Sequence, residues 1–274
     1  MVKLDGATVV ITGGATGIGL ALARAMGRQG ARPILFEPRV AILDAAVADL
    51  QSDGIDAAGP AGDVTDPAQV EALAHFAWNR NGRADILINN AGVGGPRKGI
   101  LTTDIAAERA LFEVNFWGMW HGIQAFGRRY IADGQPAAIY CTGSENSLFP
   151  AIPFGGGGYI ASKHAILGLM DALRKEAPAT ITTGVIIPGW VATDLARNMG
   201  MDAAEFAARI VPQIAAGAPY CVAHSYNMVR IAERQAEIAA AYAAHAPRHD
   251  GDDIYDVQIA VARMKAAQRS DQPQ

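Results

Sequence analysis

The sequence predicts an α/β fold: a single domain built on a doubly wound parallel sheet of about seven strands, with helices on both faces. Three observations carry this. Short aliphatic or β-branched runs alternate with longer segments of helical period, and that order builds a parallel sheet. The short runs are almost continuously apolar rather than alternating, as strands covered on both sides are. No internal repeat and no linker divides the 274 residues, half of which are hydrophobic, enough for one sizeable core.

The first strand is "ATVVIT" (7–12), followed by the helical "GIGLALARAMGRQG". "RPILF" (32–36) is the second strand; Pro33 is placed at its first residue, where a missing N–H is tolerated. "IDAAGPAGDV" (55–64), "ADILINN" (84–90), "AAIYCT" (137–142), "ITTGVII" (181–187) and "PYCVA" (219–223) complete the set. Helices fall between them, including a long helical region over 104–133 and one from about Tyr159 to Ala177. Residues 1–265 form the predicted domain, with a substrate lid at about 194–217 and a strand-helix extension at 218–265. The polar segment 266–274 reads as a flexible tail.

The net charge of −4 and the absence of a dense Lys/Arg run argue against nucleic-acid or anionic-membrane partners, which are held through neutralised phosphates. A small-molecule partner is expected. Cys141 and Cys221 lack metal or redox spacing and read as packed thiols of a reducing, cytoplasmic protein. The N-terminal "MVKLDGATVVITGG" resembles neither a signal peptide nor an anchor, and no run is long and apolar enough to cross a bilayer. None of the six histidines has metal-ligand company, so no metal is expected.

Chemistry concentrates in two motifs. In "VVITGGATGIGLALA" a strand runs through a glycine turn into a helix start, the geometry that receives a pyrophosphate and defines a Rossmann-type nucleotide fold. Gly13 turns the chain, while Gly17 and Gly19, flanking Ile18, let backbone approach the ligand without a Cβ in the way. Glu37, at the end of the second strand, is placed to accept hydrogen bonds from ribose hydroxyls, so NAD is preferred; Arg39, two residues on, keeps NADP open. In "FGGGGYIASKHA" (154–165), Tyr159 and Lys163 lie four residues apart and therefore on one face of a helix. An ammonium near a phenol favours the phenolate and suits it to give and take an alcohol proton.

The ordered set "TGGATGIG", "DV" (Asp63, Val64), "NNAG" (89–92), "VNFWG", Ser144, "YIASK" and "PGWVAT" resembles the short-chain dehydrogenase/reductase family over about residues 3–195. The resemblance implies an NAD(P)-dependent oxidoreductase that transfers hydride to or from a secondary alcohol or ketone. It implies Asn115, Ser144, Tyr159 and Lys163 as the catalytic set. Asp63 and Val64 would lie against adenine, Asn90 would belong to the cofactor site with Tyr159 and Lys163, and Val191 and Thr193 would hold the nicotinamide carboxamide. Asn115 would kink its helix. The family's serine usually lies thirteen residues before its tyrosine, but Ser144 lies fifteen before Tyr159; Ser144 is preferred to Asn146 and Ser147 because "GSENSLF" matches the residues after the family's serine. The two extra residues then fall in "AIPFGGGG". The glycine run itself is open to three readings: a compliant loop delivering Tyr159, room for substrate, or a surface loop.

Leu148, Phe149, Phe154, Trp190, Met199, Met201 and Phe206 are candidate pocket walls and point to a hydrophobic or aromatic substrate. In the family that the chain resembles, the helices that carry Asn115 and Tyr159 usually pack against their copies in another subunit, and here both are apolar on more than one face, so the resemblance implies a homodimer or homotetramer. The alternative is a non-catalytic dinucleotide-binding regulator or scaffold, which would have no need of a proton relay.

Overall fold

The computed structural model describes residues 2–152 and 154–270. Parallel strands β1 (Thr8–Thr12), β2 (Arg32–Phe36), β3 (Ile86–Asn89), β4 (Ala137–Thr142), β5 (Ile181–Ile187) and β6 (Tyr220–Val222) form one sheet in the order β2-β1-β3-β4-β5-β6. Crossover helices cover both faces: α1 (Gly17–Gly27), α2 (Val40–Ser52), α3 (Pro67–Asn81), α4 (Ile105–Phe112), α5 (Gly118–Asp133), α6 (Gly157–Glu176) and α7 (Ala203–Ala215). The strands β1, β3 and β4 are buried throughout, as their unbroken apolar runs require.

The sheet has six strands among the described residues, not about seven. The 55–64 segment makes only isolated bridges, Ile34 to Ala58 and Glu37 to Ala61. Gly59, Pro60 and Gly62 explain this: a side chain on Gly59 would meet the Leu35 carbonyl oxygen at 2.0 Å, so this stretch crosses the edge strand too closely to lie flat beside it. Pro33 is the second residue of β2, not the first. It is tolerated because Arg32 N–H bonds inward to Ala7 whereas Leu35 N–H bonds outward to Ala58; by the alternation of a strand, Pro33 lacks an N–H only on the outer edge.

Two apolar layers sandwich the sheet. One packs α1, α2 and α7 through Leu22, Met26, Leu43, Phe206 and Ile210; the other packs α3, α5 and α6 through Leu73, Phe126, Tyr130, Ile166 and Met170. Phe206 is thus a core residue rather than a pocket wall, and Phe126, Ile166 and Met170 are filled from within this chain. Three helix starts are set by an aspartate cap: Asp66 accepts from Ala68 N–H at α3, Asp104 from Ala106 N–H at α4 and Asp202 from Ala204 N–H at α7.

The chain divides into two compact units, Met1–Asn227 and Met228–Gln274. The second holds most of α8 (Asn227–His245) and all of α9 (Val257–Ser270), with Arg263 paired to Asp253 at 2.7 Å. Helix α9 takes in part of the segment read as a tail; residues 271–274 lie outside the described residues.

Candidate active site

The carboxyl edge of the sheet gathers the predicted residues. Gly13 and Gly17 have φ of +59° and +52°, where a side chain is strained. A Cβ on Gly13 would lie 2.9 Å from the Ala91 Cα, and one on Gly19 would lie 2.3 Å from the Gly13 carbonyl oxygen. The turn is therefore a cradle that any Cβ would fill. Helix α1 begins behind it with Thr16 making no side-chain cap and no acidic residue in the first turn, so its N-terminal amides and positive dipole end suit a phosphate. Ile18 is partly buried against the core of that layer.

Asn90 holds the turn from the side. Its Nδ2 donates to the carbonyls of Thr12 (3.2 Å) and Gly13 (3.1 Å), and its Oδ1 accepts from Thr142 Oγ1 at 3.2 Å. Thr12 completes the brace, its Oγ1 accepting from Asn90 and Ala91 N–H at 2.9 and 3.1 Å. Sequence reasoning missed this threonine, although it is the first letter of the glycine motif.

Glu37 is 3% exposed and receives Arg39 Nε at 2.5 Å. The hydrogen bond to Glu37 raises the Arg39 guanidinium, so this arginine is held on the carboxylate. Asp63 Oδ1 accepts from Thr65 N–H at 2.9 Å, and buried Val64 packs where Gly118 lacks a side chain.

Asn115 sits in a π-helical turn, Glu113–Trp117, between α4 and α5. Fully buried, it exchanges two hydrogen bonds with Val93, donating from Nδ2 at 3.0 Å and accepting at Oδ1 at 2.8 Å, and Nδ2 reaches Ser162 Oγ at 3.1 Å. The helix distortion expected from the resemblance is present, and Asn115 ties it to the strand-end loop and to α6.

Tyr159 and Lys163 do share a face of α6: the Lys163 Nζ lies 5.6 Å from the phenol ring centroid. That ammonium is 3% exposed and donates to the Thr142 carbonyl at 2.9 Å. Burial pushes it down to about 8. Burial also lifts the Tyr159 phenol above its ordinary value; a hydrogen bond with Ser144 pulls it back, and the Glu145 carboxylate lifts it further. Among protein groups, then, burial and Ser144 set the phenol more than Lys163 does, because Lys163 is turned to the backbone of β4.

Ser144 is 6% exposed and caps the short turn Glu145–Ser147, its Oγ accepting from Asn146 N–H at 3.2 Å. Its rivals are spent within the loop. Asn146 Oδ1 accepts from Ala151 and Ile152 N–H, and Ser147 Oγ accepts from Ser144 N–H. Sequence reasoning missed Glu145, although it stands directly after Ser144. Burial raises its carboxyl, while hydrogen bonds from Asn227 and Tyr226 lower it.

Val191 is buried and bridges to Met201; Thr193 lies over the glycine turn, its Cγ2 2.9 Å from where a Gly17 Cβ would be. Between them and α7 stand Arg197 and Asn198, both at φ +54°, a conformation costly for side chains other than glycine. Phe154 (80%), Trp190 (52%) and Met199 (49%) are exposed around this edge, whereas Phe149 is buried. His224 Nδ1 accepts from Gly189 N–H at 3.1 Å, a structural bond. Both cysteines are buried, their thiols pushed up to about 12 by burial. Among the described residues no cluster of acidic, histidine and cysteine side chains could hold a metal, and no helix is long and apolar enough to cross a membrane.

Fold and site together define a class: a dinucleotide-cradling α/β protein with a serine, tyrosine and lysine gathered beyond the end of β4. A sequence profile described as short chain dehydrogenase matches residues 7–204, and the chain belongs to that family. It is 35% identical over 198 residues to 1-deoxy-11-beta-hydroxypentalenate dehydrogenase of Streptomyces avermitilis, covering 72% of this chain and 73% of that one. It is 36% identical over 198 residues to galactitol 2-dehydrogenase (L-tagatose-forming) of Cereibacter sphaeroides, covering 72% and 76%. The crystal structure of a short chain dehydrogenase/reductase from Burkholderia phymatum in complex with NAD superposes with a TM-score of 0.82 at 26% identity, over 88% of this chain and 96% of that one.

Proposed function

We propose that this protein interconverts a secondary alcohol and its ketone with a nicotinamide dinucleotide, Tyr159 acting as general acid and base. The observation that carries this is the meeting of Ser144, Tyr159 and Lys163, with Lys163 tied to the glycine turn through Thr142 and Asn90. When bound, the nicotinamide supplies the hydride acceptor or donor. Gly13, Gly17, Ile18 and Gly19 would hold its pyrophosphate, Glu37 its ribose, Asp63 and Val64 its adenine, and Val191 and Thr193 its carboxamide.

The protein's own work is positional and protonic. Ser144 orients the substrate oxygen and, through its bond to the phenol, opposes the burial that would keep Tyr159 protonated. Tyr159 takes the carbinol proton in oxidation and returns it in reduction. Lys163, held on Thr142, keeps a positive charge on the phenol's helix face and would offer a donor to the ribose of a bound coenzyme. Asn115 fixes the loop at Val93 and, through Ser162, the first turn of α6.

Glu37, buried and engaged with Arg39, favours NAD, because a carboxylate there repels a 2′-phosphate. The exposed Phe154, Trp190 and Met199 support a hydrophobic substrate. Trp117 (42% exposed) and Trp120 (36%), clustered with Phe116, support self-association into a homodimer or homotetramer through the π turn and the start of α5; a cytoplasmic setting suits the free thiols.

The test is nicotinamide absorbance on mixing the protein with a panel of apolar secondary alcohols and ketones and either coenzyme. Turnover faster with NAD than with NADP is expected. Absence of turnover with every pair would favour a non-catalytic binding protein.

A further inference from the structure

Helix α6 carries the acid–base tyrosine yet begins without any cap of its own. Its N-cap is Gly156, at φ +69°, which brings no side chain, and the first turn holds no acidic residue. The positive end of a 20-residue helix is thus left uncompensated by its own sequence. A carboxyl group from the segment after β3 stands beside this end of the helix. Glu108, on α4, is 7% exposed; Thr103 Oγ1 donates to its Oε1 at 2.8 Å, while its Oε2 has no hydrogen-bond partner. That second oxygen lies 1.8 Å from where a Cβ on Gly158 would stand.

Two more glycines of the run are fitted to the same segment, while Gly156 faces Ile152. A Cβ on Gly157 would come within 2.5 Å of Ile100 Cγ1, and one on Gly155, at φ +73°, within 3.0 Å of the Arg97 carbonyl carbon. The run is therefore a surface stripped of side chains so that residues 97–108 can close onto the residues just before Tyr159. This goes beyond the three readings open to the sequence, none of which identified a partner.

We propose that Glu108 is a positioning residue for the reaction: its buried carboxylate, seated where Gly158 has no side chain, clasps the first turn of α6 and sets the reach of Tyr159. The inference rests on the assignment of Tyr159 as the acid–base group. From the other side, Ser162 Oγ donates to the Tyr159 carbonyl at 2.8 Å and accepts from Asn115. The tyrosine's turn is thus gripped between Asn115 on one flank and Glu108 on the other. Removing one grip lets the phenol wander from Ser144, and a misplacement of about 1 Å can cost about a hundredfold in rate.

The experiment compares Glu108→Ala, Glu108→Gln, Gly158→Ala and the double variant Gly158→Ala/Glu108→Ala, by steady-state kinetics and by hydrogen exchange of the peptide spanning residues 157–162. Glu108→Ala should lower kcat about tenfold or more, leave KM and coenzyme affinity within about twofold, and speed exchange of that peptide. Glu108→Gln keeps the size and the Thr103 bond but not the charge, and should fall between. Gly158→Ala should be the most damaged single variant, and the double variant should recover part of its loss because the obstructing carboxylate is gone. Unchanged exchange in Glu108→Ala would overturn the clasp whether or not activity falls. Faster exchange with parental kcat would overturn the positioning of Tyr159, and a double variant no better than Gly158→Ala would overturn the seating. Tyr159→Phe separates the two assignments: it should abolish turnover with exchange at the parental rate, and retained turnover there would overturn the acid–base role on which the inference stands.

Discussion

The coenzyme side and the substrate side of the sheet's carboxyl edge are built on opposite terms. Around the glycine turn each group is fixed more than once: Thr12 braces Asn90, Asn90 braces Thr12 and Gly13, and no Cβ can be added to Gly13 or Gly19 without a clash. Around the substrate edge, Phe154, Trp190 and Met199 stand exposed and Arg197 and Asn198 hold left-handed backbone. The dinucleotide side has one partner to fit, so redundancy costs it nothing. The proposed substrate side keeps apolar surface uncovered, as its closing on a ligand would require.

Two phenylalanines sharpen the contrast most. By sequence Phe206 reads as a pocket wall alongside Phe154, yet it is fully buried between α7 and α1. Phe206→Ala should destabilise the fold by about 3–5 kcal/mol in urea unfolding, whereas Phe154→Ala should stay within about 0.5 kcal/mol. Equal losses would erase the distinction between core and rim.

A smaller effect lies between the two sides, at Lys163. Its ammonium has an ordinary pKa of 10.5 and falls to about 8 on burial. Between those values the unfolded chain binds more protons than the folded one, so this group makes stability rise with pH from about 8 to 10.5 and withholds that stability as pH falls through about 8. Replacing it by Lys163→Met removes the dependence. The variant should gain on the parent as pH falls from 10.5 towards 8, by roughly 3 kcal/mol in all at about 1.4 kcal/mol per unit. A pH-independent difference in unfolding free energy would place the charge in a better-solvated site than its 3% exposure indicates.

Legibility in the sequence divides along the same line. The glycine spacing, the Tyr159–Lys163 pair and the alternation of strands are local patterns, and local geometry carries them directly into the fold. The kink at Asn115 is legible only through resemblance, since nothing in "EVNFW" announces a π turn. The preference for Ser144 over the usual spacing rests on the residues after it, which match the family, and Asn146 and Ser147 are engaged within the loop. The remainder depends on contacts between distant segments. Gly157 and Gly158 are glycines because of Ile100 and Glu108, roughly fifty positions earlier, and periodicity has no access to such pairs. The 55–64 stretch misleads for a similar reason: its residues suit a strand, but the closeness of Gly59 to Leu35 forbids a regular ladder.

The central claim is that one phenol, tuned by burial and Ser144 and backed by Lys163, manages the proton of an alcohol beside a bound nicotinamide. It is tested most directly by Tyr159→Phe, with turnover measured by nicotinamide absorbance and coenzyme affinity by fluorescence titration on the same preparation. The account predicts a loss of about 10²–10⁴-fold in kcat with coenzyme affinity within about twofold of the parent. A variant that binds the coenzyme and turns over at the parental rate would contradict it.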